Sequence, residues 1–279
     1  MGRGLRALQH VRFIDLSVPL TGVIAEPDPP KIHYVDHAQA ATELAQMATR
    51  LARQANGAAA DSTVITEKAF RDGLGLANEN LNLDSHAGTH MDAPWHFGPL
   101  CENLPAKTID LIPLDWCFGP GVLLDLRHKR PGETIQPSDL SEALLRIPYT
   151  LKPRDIVLLM TGADKHKDKN DYFSAHPGMG RDATLWLLDQ GIKVIGIDGW
   201  GFDRPAGTMI KEYLHTGDRD VLLPAHMVGR DREYCHIEKM ANLDLIPTPT
   251  GFWVSCFPVK IERGSAGWVR AVAFVEGDA

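Results

Sequence analysis

The stretch Asp84-Ser-His86-Ala-Gly88-Thr-His90-Met-Asp92-Ala-Pro94-Trp-His96 decides the reading of this chain. It holds three of the chain's twelve histidines, with an aspartate set among them. The intervals from His86 to His90, Asp92 and His96 are four, two and four, all even. In extended chain, even spacing puts all four side chains on one face. Gly88, Thr89 and the Asp92-Ala-Pro94 run oppose a helix, and Pro94 would end one. The segment is therefore expected to be extended. Imidazole with carboxylate is a ligand set for a divalent transition metal, zinc or manganese being favoured. Gly88 lets the backbone pass close to the ion, and Pro94 stiffens the exit. An isolated histidine is usually structural, so it is the grouping that points to a metal. His96, at the end of the run, is either a ligand or a free acid/base beside the ion.

A second group lies downstream. His226 is followed twelve residues later by Glu238, which stands beside His236. Asp198 and Asp203 flank Gly199-Trp200-Gly201, just after an apolar run ending at Ile197, where site residues often sit. Ordinary turn chemistry accounts for the two aspartates equally well. Trp95, Phe97, Trp200, Phe202 and Tyr213 are available to line an apolar pocket, or to serve as core. There is no G-x-G-x-x-G, no phosphate-binding G-x-x-x-x-G-K-[ST] loop, no G-x-S-x-G elbow and no H-E-x-x-H. A nucleotide cofactor is not expected.

Around these groups the chain reads as one mixed α/β domain. Strands are predicted at Val11–Leu16, 79–84, Gly121–Leu126, Ile156–Met160 and Val194–Ile197, and a terminal hairpin at Phe252–Ile261 and Trp268–Val275. Helices are predicted at 36–55, with Leu44, Met47 and Leu51 in register, at Asp139–Ile147 behind a Ser138 cap, and at Arg181–Gln190 ending on Gly191. With 279 residues, 44% hydrophobic and 23% charged, the chain can bury one sizeable core without staples. A net charge of −7 with only short basic runs argues against nucleic acid. The four cysteines lie far apart and read as reduced thiols. No apolar run reaches the ~18 residues of a membrane span. The N-terminus has no apolar secretory core. The cytoplasm is the expected location.

The segment His86-Ala-Gly-Thr-His90-Met-Asp92-Ala-Pro-Trp-His96 resembles the H-x-G-T-H-x-D-x-P-x-H signature of the metal-dependent cyclase superfamily, which includes bacterial kynurenine formamidases and isatin hydrolases. Asp15-Leu-Ser17, Gly119–Leu126, Thr161-Gly162, Pro177-Gly178 and Gly196-Ile-Asp198 resemble further family positions in the same order. The resemblance spans roughly residues 12–275. It implies a swivelling β/β/α fold with a mixed sheet core, in homodimers or homotetramers. By position, it implies His86, His90 and Asp92 as ligands of a first metal. Asp92 would bridge to a second metal held by His226 and Glu238, and His96 would be the general acid/base. One or two zinc or manganese ions per chain are implied, with a small molecule as substrate. The chain departs from the family in extra residues near 30–75 and 204–225, which read as insertions into a single domain. Gly201 and Ala163 replace a frequent serine and tryptophan, which weakens any case for formylkynurenine. The expected activity is hydrolysis of an amide, lactam or ester by a metal-activated water. A metal-dependent lyase or polyketide-type cyclase, and a non-catalytic metal-binding protein, are the alternatives.

Overall fold

The computed structural model describes residues 10–22, 28–56 and 64–277. These fall into two compact units, Pro30–Leu83 and the remainder of the chain. In the smaller unit, strands Lys31–Val35 and Asn78–Asn82 form an antiparallel pair with Lys31 opposite Asn82. The predicted helix runs His37–Asn56. Its buried face is Ala40, Ala41 and Ala45, while Met47 and Leu51 stay exposed. The small face has a cause: Gly75 donates its N–H to His37 O at 2.8 Å, and a Cβ on Gly75 would come within 2.5 Å of Ala41 N.

The larger unit is built on nine strands: β1 (Val11–Asp15), β2 (His90–Asp92), β3 (Phe118–Asp125), β4 (Ile156–Met160), β5 (Val194–Ile197), β6 (Cys235–Glu238), β7 (Phe252–Ser255), β8 (Ala266–Trp268) and β9 (Val272–Glu276). Their spatial order is β1-β9-β7-β3-β4-β5-β6-β2-β8. The four central strands β3 to β6 are parallel. All other pairings are antiparallel. The result is a mixed sheet in an α/β fold.

β4, Ile-Val-Leu-Leu-Met, is buried along its whole length. Successive side chains go to opposite faces. Ile156, Leu158 and Met160 therefore join one core, with Met91 and Ile237, while Val157 and Leu159 join another. The second core is covered by helices Pro137–Leu145 and Arg181–Asp189, through Leu140, Ala143, Ala183 and Leu187. This double coverage explains the unbroken apolar runs in the parallel strands.

Two local expectations are corrected. Ser138 does not cap its helix. Gln136 does, in a capping box whose return arm is the Gln136 N–H donating to Asp139 at 2.7 Å. The sequence obscured this because Pro137, at the first helical position, moves the cap one residue earlier. The C-terminal strands are not a simple hairpin either. β7 and β9 do pair, but β8 lies between them in sequence and crosses to the far side of the sheet against β2. The helix Ala206–Thr216, in the segment read as an insertion, belongs to the larger unit.

Candidate metal centre

The centre is assembled by strand register. β2 and β6 run antiparallel, with His236 opposite Asp92 and Glu238 opposite His90. Met91 and Ile237, between them, are fully buried in the first core. The period of two then turns His90, Asp92, His236 and Glu238 toward the opposite, helix-covered face. His86 arrives from the turn before β2. Gly88 has φ +60, and a Cβ there would stand 2.8 Å from Leu20 Cδ2. This left-handed turn carries the Gly88 carbonyl, which accepts from His90 Nδ1 at 2.9 Å.

His96 corrects the expectation of a fully extended segment. Residues Pro94–Phe97 form one helical turn with Pro94 at its start. Proline breaks a helix from inside but suits its first position, where no N–H is needed. His226 comes from the short helix Pro224–Val228.

Asp92 is the hub. His86 Nδ1 lies 2.8 Å from Oδ1 and His236 Nε2 lies 2.8 Å from Oδ2. His90 Nε2, His226 Nε2 and His96 Nε2 follow at 3.4, 3.8 and 3.9 Å. Glu238 is 3.3 Å from His236 Nε2, 3.6 Å from His90 Nε2 and 3.7 Å from His226 Nε2. Two sets of donor atoms, each lying within 4.8 Å of one another, share Asp92: one with His226, His236 and Glu238, the other with His86 and His96. All six residues singled out in the sequence (His86, His90, Asp92, His96, His226 and Glu238) are thus brought together.

His236 is the seventh member, and Asp203 supports the group from behind. Both were visible in the sequence without an assigned role. His236-Ile-Glu238 repeats the even spacing of His90-Met-Asp92, and that spacing was the available signal. Asp198, by contrast, stays outside. Its carboxylate accepts from the Thr161 N–H at 2.9 Å, the Thr161 hydroxyl at 2.5 Å and the Gly162 N–H at 2.8 Å, holding a turn. Burial pushes it up to about 7 against those donors.

The outer nitrogens set the inner ones. A carbonyl or carboxylate oxygen can only accept, so His90 Nδ1 donates to Gly88 O. By the same logic His226 Nδ1 donates to Asp203 Oδ2, at 2.5 Å. Tyr234 gives its hydroxyl proton to Ala225 O at 2.9 Å and faces His236 Nδ1 at 3.4 Å. In the neutral ring each Nε2 then carries a lone pair directed into the cluster. His90 Nε2, His236 Nε2 and both Asp92 oxygens are buried and have no hydrogen-bond partner. Their mutual contacts are short but not aligned as hydrogen bonds. Buried polar atoms left this way are costly, and a cation would satisfy all of them at once. The donor set therefore fits a divalent metal.

The same carboxylates also draw protons onto the imidazoles, in competition with a cation. Burial opposes the Asp92 charge, yet His90, His236 and His86 hold its carboxyl well below the usual range. Burial likewise opposes Glu238, but His236 brings it down to about 2. His236 itself is raised to about 9, because Asp92 and Glu238 outweigh its desolvation. His96 is lowered to about 4 by burial and by repulsion from His86, His226 and His236, against the pull of Asp92. Access is one-sided. The His86 and His96 side chains are 25% and 32% exposed, whereas His90 and Asp92 are at 1%.

Lys239 Nζ donates to the His86 carbonyl at 3.1 Å and lies 4.7 Å over the Trp200 ring, fixing the loop that carries His86. Phe97 and Phe202 are buried beside the centre, Phe202 stacking on His236 with ring centres 4.2 Å apart. Trp95 is 43% exposed, and Tyr213 belongs to the helix Ala206–Thr216. Among the described residues no helix is long and apolar enough to cross a membrane.

The chain is 27% identical over 214 residues to an isatin hydrolase of Roseibium aggregatum, covering 73% of this chain and 77% of that protein. It is 27% identical over 194 residues to a kynurenine formamidase of Salinibacter ruber, covering 69% and 77%. The solved isatin hydrolase A from Ralstonia solanacearum aligns over 99% of this chain and 98% of that one, with a TM-score of 0.73 at 20% identity, so the two share a fold. The sequence profile described as "Putative cyclase" matches residues 14–204, which includes the His86–His96 segment. That match spans more than half of the chain, which therefore belongs to the family of putative cyclases.

Proposed function

We propose that this chain is a metal-dependent hydrolase that cleaves a carbon–nitrogen bond of a small amide or cyclic amide, with ester or lactone cleavage as its close chemical variant. The observation that carries the reading is the set of inward-facing imidazole nitrogens and carboxylate oxygens without partners around Asp92. The names of the isatin hydrolase and kynurenine formamidase relatives support the bond type. His86, His90, Asp92, His226, His236 and Glu238 would hold the cation, zinc or manganese. These six residues, gathered around Asp92, would serve one ion or two. A divalent cation supplies Lewis acidity toward a carbonyl oxygen and makes water more acidic.

The remaining work belongs to the protein. His96 stands at the accessible side with Nε2 3.9 Å from Asp92 Oδ2, placed to accept a proton there and return it to the departing nitrogen. Asp203 holds His226 in one tautomer, and Phe97 and Phe202 keep water from the buried side. The chain is read as one hydrolase domain that carries 30–75 and 204–225 as insertions. It is further read as cytoplasmic and, on the family resemblance, as a homodimer or homotetramer; light scattering on the purified protein tests the assembly.

The deciding experiment is elemental analysis of the purified protein, followed by a screen of formamides, cyclic imides, lactams and lactones with zinc or manganese. Bound metal with ring opening or deformylation is expected. A His96→Ala variant should retain the metal while kcat falls by roughly 10²–10⁴-fold. A protein that neither contains nor takes up metal would sink the reading.

A further inference from the structure

Outside the metal centre, three buried polar atoms among the described residues have no hydrogen-bond partner: His176 Nε2, Trp200 Nε1 and Arg204 Nε. All three residues line one cavity of about 150 Å³, which also touches His226 and Glu238. Three orphaned groups on one wall system are costly unless a ligand uses them. A cavity of this volume takes a ring the size of benzene.

Their chemistry defines what fits. Trp200 Nε1 and Arg204 Nε are donors only. His176 is 1% exposed, and its Nδ1 donates to Pro177 O at 2.8 Å, so the neutral ring offers an acceptor at Nε2. Two donors and one acceptor match a carbonyl oxygen next to an N–H. An anion fits poorly. Glu238 and Asp203 border the cavity, and Arg204 already gives Nη2 to Glu212 at 2.5 Å. The geometry points to this cavity as a substrate subsite for a neutral amide-type group, one presenting C=O and N–H side by side, as in the second amide of a cyclic imide or ureide. The inference rests on the hydrolase reading for the word substrate, but the binding it describes does not depend on turnover.

Gly201 supplies a clean probe. A Cβ there would stand 3.7 Å from His176 Cε1 and 3.8 Å from Asp203 O, ordinary contact distances, so a side chain can be added without backbone strain. The protein as purified, labelled with ¹⁵N-tryptophan, is titrated with hydantoin and with 1,3-dimethylhydantoin, the same five-membered ring with and without its N–H groups. The Trp200 indole N–H is assigned as the resonance missing in Trp200→Phe, a change that keeps an aromatic ring and removes the donor. Hydantoin should shift that resonance saturably and 1,3-dimethylhydantoin should not, and Gly201→Leu should abolish the shift. Loss of one such hydrogen bond in Trp200→Phe should weaken hydantoin binding roughly tenfold.

A Trp200 resonance that hydantoin leaves unmoved, or that both rings move equally, overturns the subsite. The two readings fail separately. A specific shift, with none of the formamides, cyclic imides, lactams and lactones cleaved by the zinc- or manganese-loaded enzyme, keeps the subsite and removes the hydrolase. Ring opening with the same kcat/KM in wild type and Trp200→Phe does the reverse.

Discussion

At the scale of single residues, the centre depends on groups that fix ligands as much as on the ligands themselves. Asp203 accepts from His226 Nδ1 at 2.5 Å and from the Ala225 and His226 backbone N–H groups at 2.8 and 3.1 Å. It therefore sets both the tautomer of His226 and the start of the helix that carries it. Asp203→Asn keeps the shape but presents an amide that can hydrogen-bond Nδ1 with either of its ends. Metal affinity, measured by competition with a chelator, should fall 10–100-fold with little change in fold; an unchanged affinity would remove Asp203 from this role. His86, His90, Asp92 and His96 were legible because they crowd into one short segment. His236 was less so, though its spacing to Glu238 repeats the same period. What assigns it is the register that sets it opposite Asp92. A pairing between strands so distant in sequence leaves no local pattern to read.

At the scale of elements, the buried parallel strands announced themselves as apolar runs, because both of their faces are covered. The capping residue and the route of β8 did not: Pro137 moves the cap to Gln136, and β8 pairs with a strand chosen by tertiary packing. Asp139 shows what the cap contributes. Burial opposes its charge, but the Gln136 N–H and the Lys129 ammonium, the latter at 3.0 Å, outweigh this and lower its pKa. A carboxyl lowered in the folded state adds stability above its unfolded value, about 4, and loses it as pH falls through the folded value. Asp139→Ala should cost about 1 kcal/mol near neutrality. The gap in Tm between variant and wild type should hold from pH 7 to 5 and close below pH 4. Gly229 is a second test at this scale. A Cβ there would overlap the Phe97 ring, one residue beyond His96. Its backbone is helical, at φ −64, so the conflict is one of space and not of conformation. Gly229→Ala should cost about 1–3 kcal/mol and lower activity by displacing His96. Phe97→Leu in the same chain should recover part of both, as read by thermal melts and turnover.

At the scale of the whole molecule, the metal site lies where the parallel half of the sheet gives way to antiparallel strands, and it joins residues from His86 to Glu238. An ion bound there ties segments that are far apart in sequence, so its binding energy adds to folding. The fold does not begin from it, however. Two separate apolar cores flank the sheet, each with some twenty or more buried side chains, unlike small domains that are unfolded without their metal. Stripping the ion should leave secondary structure intact by circular dichroism while Tm falls. At a free ion concentration a thousand times its Kd, the lost linkage is about 4 kcal/mol, or roughly 10 °C for a chain of this size. The loss arises because both Asp92 oxygens are then left buried among imidazoles without a hydrogen-bond partner. Adding back zinc or manganese should restore Tm and activity together. If the stripped chain instead unfolds outright, the ion is a structural staple and the apolar cores are weaker than their burial implies. If Tm does not move at all, the cluster around Asp92 does not hold a metal.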